Sequence, residues 1–211
     1  MVKFSGYWPV DSNPKKSAKQ GHLKHLKEKE VDLLFCDKEY FIGCKQVKIQ
    51  PPAELLIKKF DNPAFLKFGK KIDTEVFRKL VVIWTSKILL FKRVAEIYPD
   101  ENEFVWVDCV TWPNFDLIIN ADSLSGCVIN KYCGENTNKM YKRPYNDPDF
   151  KSLDTYLLAS VIKMHRKSID AFERMYVDYL QVVDKQYKFY DEEIVLSAMY
   201  KDHPEMFKVI N

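Results

Sequence analysis

Asp108 is the residue of this sequence whose type and position are best suited to chemistry. It follows the apolar run 104–107 (FVWV), which has the pattern of a buried strand. A carboxylate at the carboxyl end of such a strand is held rigidly. It can bind Mg²⁺ or Mn²⁺, which take oxygen ligands and usually keep one or two protein carboxylates plus substrate phosphates. An Asp in this place can equally cap a turn, so both roles stay open.

A lysine and an acidic triplet could act with that carboxylate. The sequence places Lys87 in the first turn of a helix after Trp84. Free N–H groups and an ammonium at such a position favour a diphosphate, with a solvated lysine as the alternative. Asp191, Glu192 and Glu193 open a second helix. They could supply a catalytic base or an anchor for an acceptor hydroxyl, or they could simply cap that helix.

Several catalytic classes are excluded by their missing motifs. The sequence contains no GxxxxGK[ST] loop, no GxGxxG after a strand, no GxSxG elbow and no HExxH. Cys109 has no histidine placed to activate it, which argues against a thiol hydrolase. The five cysteines are odd in number and form no CxxC pair, which predicts reduced thiols in the cytoplasm.

The predicted elements around these residues favour an α/β fold. A strand over 80–84, a helix over 86–97 and a strand over 104–107 would make a βαβ unit in a mostly parallel sheet. Ligands bind to such sheets at the carboxyl ends of the strands. Further strands are predicted over 2–8, 31–36, 45–52, 115–119, 126–129 and 156–162. Further helices are predicted over 15–30, over 168–183 with Ser168 as N-cap, and over 192–203 with Asp191 as N-cap.

Length and composition agree with one globular domain over residues 1–211. The chain is 46% hydrophobic and 14% aromatic, which suits a packed core. No run of about 18 apolar residues is present, so no transmembrane segment is predicted. The net charge of +3 is small against 33 basic and 30 acidic residues, and no nucleic-acid partner is predicted. The lysines of 15–29 keep nucleic-acid binding open as an alternative. The sequence predicts no particular oligomeric state.

Two segments together resemble a known family. The first runs from Trp84-x-x-Lys87 through an apolar helix and Pro99 to 104–108 (FVWVD). It is similar to the core of nucleotide-sugar glycosyltransferases of the GT-A fold, and especially to the bacterial HtrL/YibB-like family. The second, 190–207, resembles the closing D-E…P-x-x-F helix of that family. The resemblance covers about residues 80–211 and implies a single GT-A-like, Rossmann-like domain with a central, mostly parallel twisted sheet flanked by helices.

The resemblance implies a donor site for a nucleoside-diphosphate sugar, with UDP as the expected nucleotide. Gly6 and Tyr7, at the end of the first strand, would hold the base. Lys87 would contact the nucleotide or its phosphates. Trp84, at the end of the predicted strand, is placed in the same donor-binding set, with packing in the core as its alternative.

The resemblance also implies a divalent cation, Mn²⁺ or Mg²⁺, bound by Asp108. The second acid of the usual D-x-D motif is absent, because Val110 stands in its place. His203 is the residue predicted to join Asp108 as a metal ligand, with Asp122 or Glu192 as alternatives. Catalysis without a metal also stays open.

The implied reaction is transfer of a sugar to an acceptor hydroxyl of a glycan or glycoconjugate. An inverting enzyme needs a base for that hydroxyl, and Asp191 and Glu192 are the candidates. Trp112 and Tyr141 could stack on a sugar ring. The alternative is a non-catalytic binding protein that kept the fold and lost the second acid.

Overall fold

A computed structural model gives the fold of residues 1–10, 19–40, 42–57, 65–67, 70–72, 74–109, 114–124, 126–131, 157–186 and 191–211. Its strands are β1 (Val2–Tyr7), β2 (Leu33–Cys36), β3 (Lys45–Lys48), β4 (Phe65–Lys67), β5 (Lys70–Ile72), β6 (Glu103–Val107), β7 (Cys127–Lys131), β8 (Leu157–His165) and β9 (Phe207–Ile210). Its α-helices are α1 (Lys19–Glu28), α2 (Thr74–Ile97), α3 (Phe115–Asn120), α4 (Arg166–Gln186) and α5 (Glu192–Asp202). Short 3₁₀ turns cover Pro52–Leu55 and Pro204–Met206.

Seven strands form one sheet in the order β3-β2-β1-β6-β8-β7-β9, and β4 pairs with β5 separately. The pairs β1–β2, β2–β3, β1–β6 and β7–β9 are parallel. β8 is antiparallel to both of its neighbours. The predicted fold class is confirmed as one α/β domain with a mostly parallel sheet flanked by helices.

The order in which successive strands are added to the sheet reverses at β1. It builds outward from β1 through β2 to β3, and then returns through α2 to place β6 on the other side of β1. The carboxyl ends of β1 and β6 therefore flank a topological switch point, the place where open α/β sheets bind ligands.

Both faces of the sheet are buried, as expected for mostly parallel strands. Phe4 and Phe104 point to one face, where Phe4 packs edge-on against Phe91 of α2 at 4.8 Å between ring centres. α4 and α5 cover the same face. Val105 and Val107, one residue out of phase, point to the opposite face, which α1 and α3 cover.

The strand predicted over 80–84 is wrong, because this segment lies inside the 24-residue helix α2. Its β-branched run favours a strand only weakly, since strand propensity depends on context. The apolar pattern continues back at helical spacing to Phe77, and no Gly or Pro interrupts 74–97. Helix α2 packs between the sheet, the 52–55 turn and α4, so it is apolar on most of its sides.

Three smaller predictions also differ from the structure. Residues 115–119 belong to helix α3 and not to a strand; Ile118 is its buried anchor. Helix α4 begins at Arg166, so Ser168 lies inside it and is not its N-cap. β3 ends at Lys48, before the two prolines. None of the helices that the structure describes is long and apolar enough to span a bilayer.

Candidate active site

Lys87 and Asp108 form the centre of a charge cluster at the carboxyl edge of the sheet. The Lys87 Nζ lies 3.0 Å from Asp108 Oδ2 and 2.6 Å from Glu192 Oε1. It also donates to the carbonyl of Ala159 at 3.2 Å. One nitrogen thus joins the end of β6, the start of α5 and the third residue of β8.

The members of this cluster differ in their access to solvent. The side chains of Lys87 and Glu192 are each 5% exposed, whereas that of Asp108 is 23% exposed. Burial alone would lower the pKa of Lys87, but the carboxylates of Glu192, Asp108 and Glu193 outweigh it and raise the pKa above its ordinary value. Lys87 therefore stays charged, and Asp108 is the member that a ligand can reach.

Helix α2 places Lys87 in its middle and not in a first turn as predicted. Its backbone N–H is therefore used within the helix, and the N-terminus of α2 lies more than three turns away from it. The predicted proximity of Lys87 to Asp108 is correct, but the reason given for it from the sequence is wrong. The side chain reaches the sheet edge because α2 crosses the sheet on its way to β6.

An irregularity in β8 shapes the other side of the cluster. The pairing of β7 with β8 shifts between Ile129 and Asn130, whose partners are Ile162 and Leu158. The extra residues, 159–161, form a bulge, and bulges commonly lie next to active sites. The bulge holds Asp108 directly, since the Asp108 N–H donates to the Ser160 carbonyl at 2.7 Å.

The acids at the start of α5 are engaged in the same place. The Asp191 carboxylate accepts a hydrogen bond from the Ile194 N–H at 3.1 Å, which confirms Asp191 as the N-cap. The Glu193 carboxylate accepts from the Ala159 N–H in the bulge at 3.1 Å. Asp191 and Glu192 are only 6% and 4% exposed. Glu193 thus attaches the start of α5 to the sheet, and Glu192 attaches it to Lys87.

Tyr7 lies at the carboxyl end of β1, on the far side of the switch point from Lys87. Burial raises the pKa of its hydroxyl, and nearby Cys109 and Asp37 add to the effect. Its ring packs edge-on against Tyr40 at 4.9 Å, and the Tyr40 hydroxyl donates to Asp37 at 2.7 Å. Two tyrosines and an acid thus lie at or just beyond the carboxyl ends of β1 and β2. Sequence reasoning missed Asp37 and Tyr40, although Asp37 ends a predicted strand as Asp108 does.

Close packing against two tryptophan rings requires a glycine at position 6. A Cβ at this position would approach Trp106 Cη2 to 3.1 Å and would overlap the ring of Trp8. The Trp8 indole N–H donates to the Ile49 carbonyl at 2.9 Å, which fixes that ring. The structure therefore gives Gly6 a packing role, and its predicted contact with a base remains untested.

Trp84 lies in α2, one turn before Lys87. Its half-buried ring contacts Phe77 edge-on at 6.1 Å and joins the core on that face of the sheet. The predicted position at the end of a strand is wrong. Its predicted part in donor binding is not tested.

The structure does not bring His203 or Asp122 to Asp108. His203 follows the far end of α5, just before β9 pairs with the amino end of β7. Asp122 precedes β7, where its neighbour Ser123 donates to Glu103 at the amino end of β6. Both residues thus lie at the opposite edge of the sheet, about 16 Å away for a five-residue strand. The expectation that His203 shares a cation with Asp108 is corrected by this placement.

Within the described ranges, no three His, Cys, Asp or Glu side chains gather into a metal-binding group. Asp108 is the accessible carboxylate of the Lys87 cluster, and Glu192 lies behind Lys87. Val110, Trp112 and Tyr141 lie outside the described residues.

A surface cavity of about 360 Å³ lies elsewhere, between α2, α4 and the chain after β3. Its charged residues are already paired: Lys92 with Asp170 at 3.2 Å, and Arg93 with Glu96 at 2.9 Å. None of the predicted site residues lines it. We therefore place the candidate site at the switch point.

Comparisons with known proteins find similarity among solved structures. No family model matches the chain, and no curated protein matches it. A glycosyltransferase involved in the glycosylation of the major capsid of PBCV-1 has a similar structure, with a TM-score of 0.47 and 11% identity. The alignment covers 100% of this chain and 80% of that chain. A similarity of this size does not establish a shared activity.

Proposed function

We propose that this protein transfers a glycosyl group from a nucleoside-diphosphate sugar to an acceptor hydroxyl of a glycan or glycoconjugate. The observation that carries the proposal is the position of Asp108, the accessible acid of a buried charge cluster at the switch point. A UDP donor and membership of the HtrL/YibB-like family are part of the proposal and rest on the sequence resemblance. The cytoplasmic location stays a prediction.

The charge of the cluster supports a divalent cation at this site. Three carboxylates act on the single ammonium of Lys87. A nucleoside diphosphate would add further negative charge, so its binding calls for a cation to offset the repulsion. We propose that Asp108 holds Mg²⁺ or Mn²⁺, with donor phosphate oxygens completing the shell. Such an ion would stabilise the charge on the departing diphosphate.

In the proposed reaction, the bond between the anomeric carbon and the donor phosphate breaks and the acceptor oxygen bonds to that carbon. The acceptor proton must go to a base. Proton uptake by Glu192 would break its buried ion pair with Lys87, whereas uptake by Asp191 would weaken one helix cap. Losing a buried pair costs more than losing a cap. We therefore favour Asp191 over Glu192.

Replacing Asp108 by Asn tests the proposed function directly. The change removes one charge at nearly constant shape, and Lys87 stays neutralised by Glu192, so the fold should survive. We expect the transfer or hydrolysis of UDP-sugars, assayed as a panel with and without Mn²⁺, to fall by about 10²-fold or more. Asp170→Asn, at an exposed surface pair with Lys92, is the matched control.

The same panel of UDP-sugars also distinguishes the proposed enzyme from the alternative, a non-catalytic binding protein. Val110 in place of the second acid favours that alternative. It predicts that the wild-type protein binds UDP but hydrolyses and transfers none of the sugars in the panel. Wild-type turnover by the Asp108→Asn variant would remove Asp108 from the proposed site.

A further inference from the structure

The ammonium of Lys87 already has as many acceptors as it has protons. A lysine ammonium carries three N–H donors. Asp108 Oδ2 at 3.0 Å, Glu192 Oε1 at 2.6 Å and the Ala159 carbonyl at 3.2 Å account for all three. The ring of Trp106 lies 5.8 Å away on a further side. A phosphate could reach this nitrogen only by displacing one of those partners.

The three partners come from parts of the chain that are distant in sequence. Asp108 ends β6, Ala159 belongs to the bulge of β8, and Glu192 begins α5. Lys87 itself is anchored in the middle of α2, where neighbouring residues are buried. Its nitrogen is therefore a fixed point that sets where the Asp108 carboxylate lies relative to the start of α5.

We infer that Lys87 is a positioning residue for the proposed transfer: it holds Asp108 against the start of α5 and does not contact the donor phosphates. This revises the phosphate contact expected from the sequence. The inference about transfer rests on the proposed function. The inference about positioning does not, because it concerns contacts within the protein without substrate.

A double-variant cycle between Lys87 and Glu192 tests the positioning. Lys87→Met leaves a buried carboxylate without its ammonium, so we expect the largest fall in Tm for this single variant. Adding Glu192→Gln removes the stranded charge and should recover part of that loss. If the double variant is no more stable than Lys87→Met, the two residues are not coupled and the inference fails. Neither measurement requires a nucleotide.

A comparison of UDP with uridine separates positioning from phosphate contact. UDP carries the diphosphate and uridine lacks it, and both are titrated without Mn²⁺, so that a cation held by Asp108 does not affect the comparison. We expect the ratio of the uridine Kd to the UDP Kd in Lys87→Met/Glu192→Gln to stay within about twofold of the wild-type ratio, while kcat, measured with Mn²⁺, falls at least about tenfold through misplacement of Asp108. A ratio that falls tenfold would show a lost phosphate contact and overturn the inference. Wild-type kcat in the double variant would overturn it as well.

The single variant Glu192→Gln provides a second test of the positioning role. It keeps Lys87 paired with Asp108, so it should fold. We expect a lower kcat and an unchanged UDP-to-uridine ratio. A lysine that serves the phosphates would instead be released from Glu192 and would bind UDP more tightly, which would contradict positioning. If the wild-type protein binds no nucleotide, the proposed function fails, and the Tm cycle still decides on the positioning.

Lys163 offers a matched control for the burial of a lysine. Its side chain is 4% exposed, and its ammonium bonds to Glu103 and to the carbonyls of Ile119 and Ala121, each at 2.8 Å. This cluster lies at the opposite edge of the sheet. Lys163→Met/Glu103→Gln should therefore change Tm but leave kcat per folded molecule unchanged.

Discussion

The role of the Lys87 side chain could not have been predicted from the sequence alone. Its spacing from Asp108 is compatible with a shared site, but a phosphate contact and a contact with the acids are equally compatible with that spacing. Burial decides between them, since the side chain is 5% exposed and has three partners. Asp108 and Glu192 could be picked out because each stands at the end of a strongly patterned element. His203 could not be placed, because its position depends on where β9 pairs.

Gly6 provides a residue-scale test of packing against ligand binding. Gly6→Ala adds a methyl group that would overlap Trp8 and press on Trp106. Overpacking of this kind costs about 1–3 kcal/mol. We expect a lower free energy of unfolding in urea and an unchanged affinity for UDP per folded molecule. Wild-type stability together with weaker UDP binding would instead assign Gly6 to the base site, as the sequence predicted.

At the scale of elements, strands followed by polar residues were predictable and a long buried helix was not. β1, β2, β6 and α5 agree with their predicted positions to within a few residues. The sequence predicts a strand over 80–84, inside α2, because 80–83 (LVVI) is apolar on all sides and fits either element. The tertiary contacts of α2 with the sheet, the 52–55 turn and α4 resolve the ambiguity. The β8 bulge has no sequence signal that we recognise.

The start of α5 allows the capping role of Asp191 to be separated from chemistry. Asp191→Ala removes the hydrogen bond to Ile194 and should cost about 0.5–2 kcal/mol of unfolding free energy. Asp191→Asn keeps a capping oxygen and should retain most of that stability. If Asp191 is the proposed base, Asp191→Asn will nevertheless lose turnover. Full turnover by the well-folded Asp191→Asn variant would show that Asp191 serves only as the N-cap and is not the base.

For the whole molecule, the two edges of the sheet carry different charge clusters. The carboxyl edge holds Lys87, Asp108 and Glu192, whereas the amino edge holds Lys163 and Glu103. The first is the proposed site. The second attaches α3 to β8, since the Lys163 ammonium binds two carbonyls at the end of that helix. Global topology of this kind follows from strand order and was predictable only as a fold class.

The amino-edge cluster predicts how stability depends on pH. Burial opposes ionisation of Glu103, but the hydrogen bond and charge of Lys163, together with Ser123, outweigh it and lower the pKa of Glu103 below its ordinary value. A carboxyl whose pKa is lowered by folding stabilises the protein above its unfolded pKa and loses that contribution as the pH falls. The stability difference between wild type and Glu103→Gln in urea should therefore shrink on acidification below about pH 4.5. A difference that is constant with pH would show that the pair contributes no linkage.

The central claim is that Asp108 presents a carboxylate for a cation and a nucleoside diphosphate at the switch point. Titration calorimetry of UDP into the wild-type protein and Asp108→Asn, each with and without Mn²⁺, tests it most directly. We predict that Mn²⁺ tightens UDP binding to the wild-type protein by at least about tenfold and that Asp108→Asn loses this gain. Equal Mn²⁺-dependent affinity in both proteins, or no binding of UDP to the wild-type protein, would contradict it.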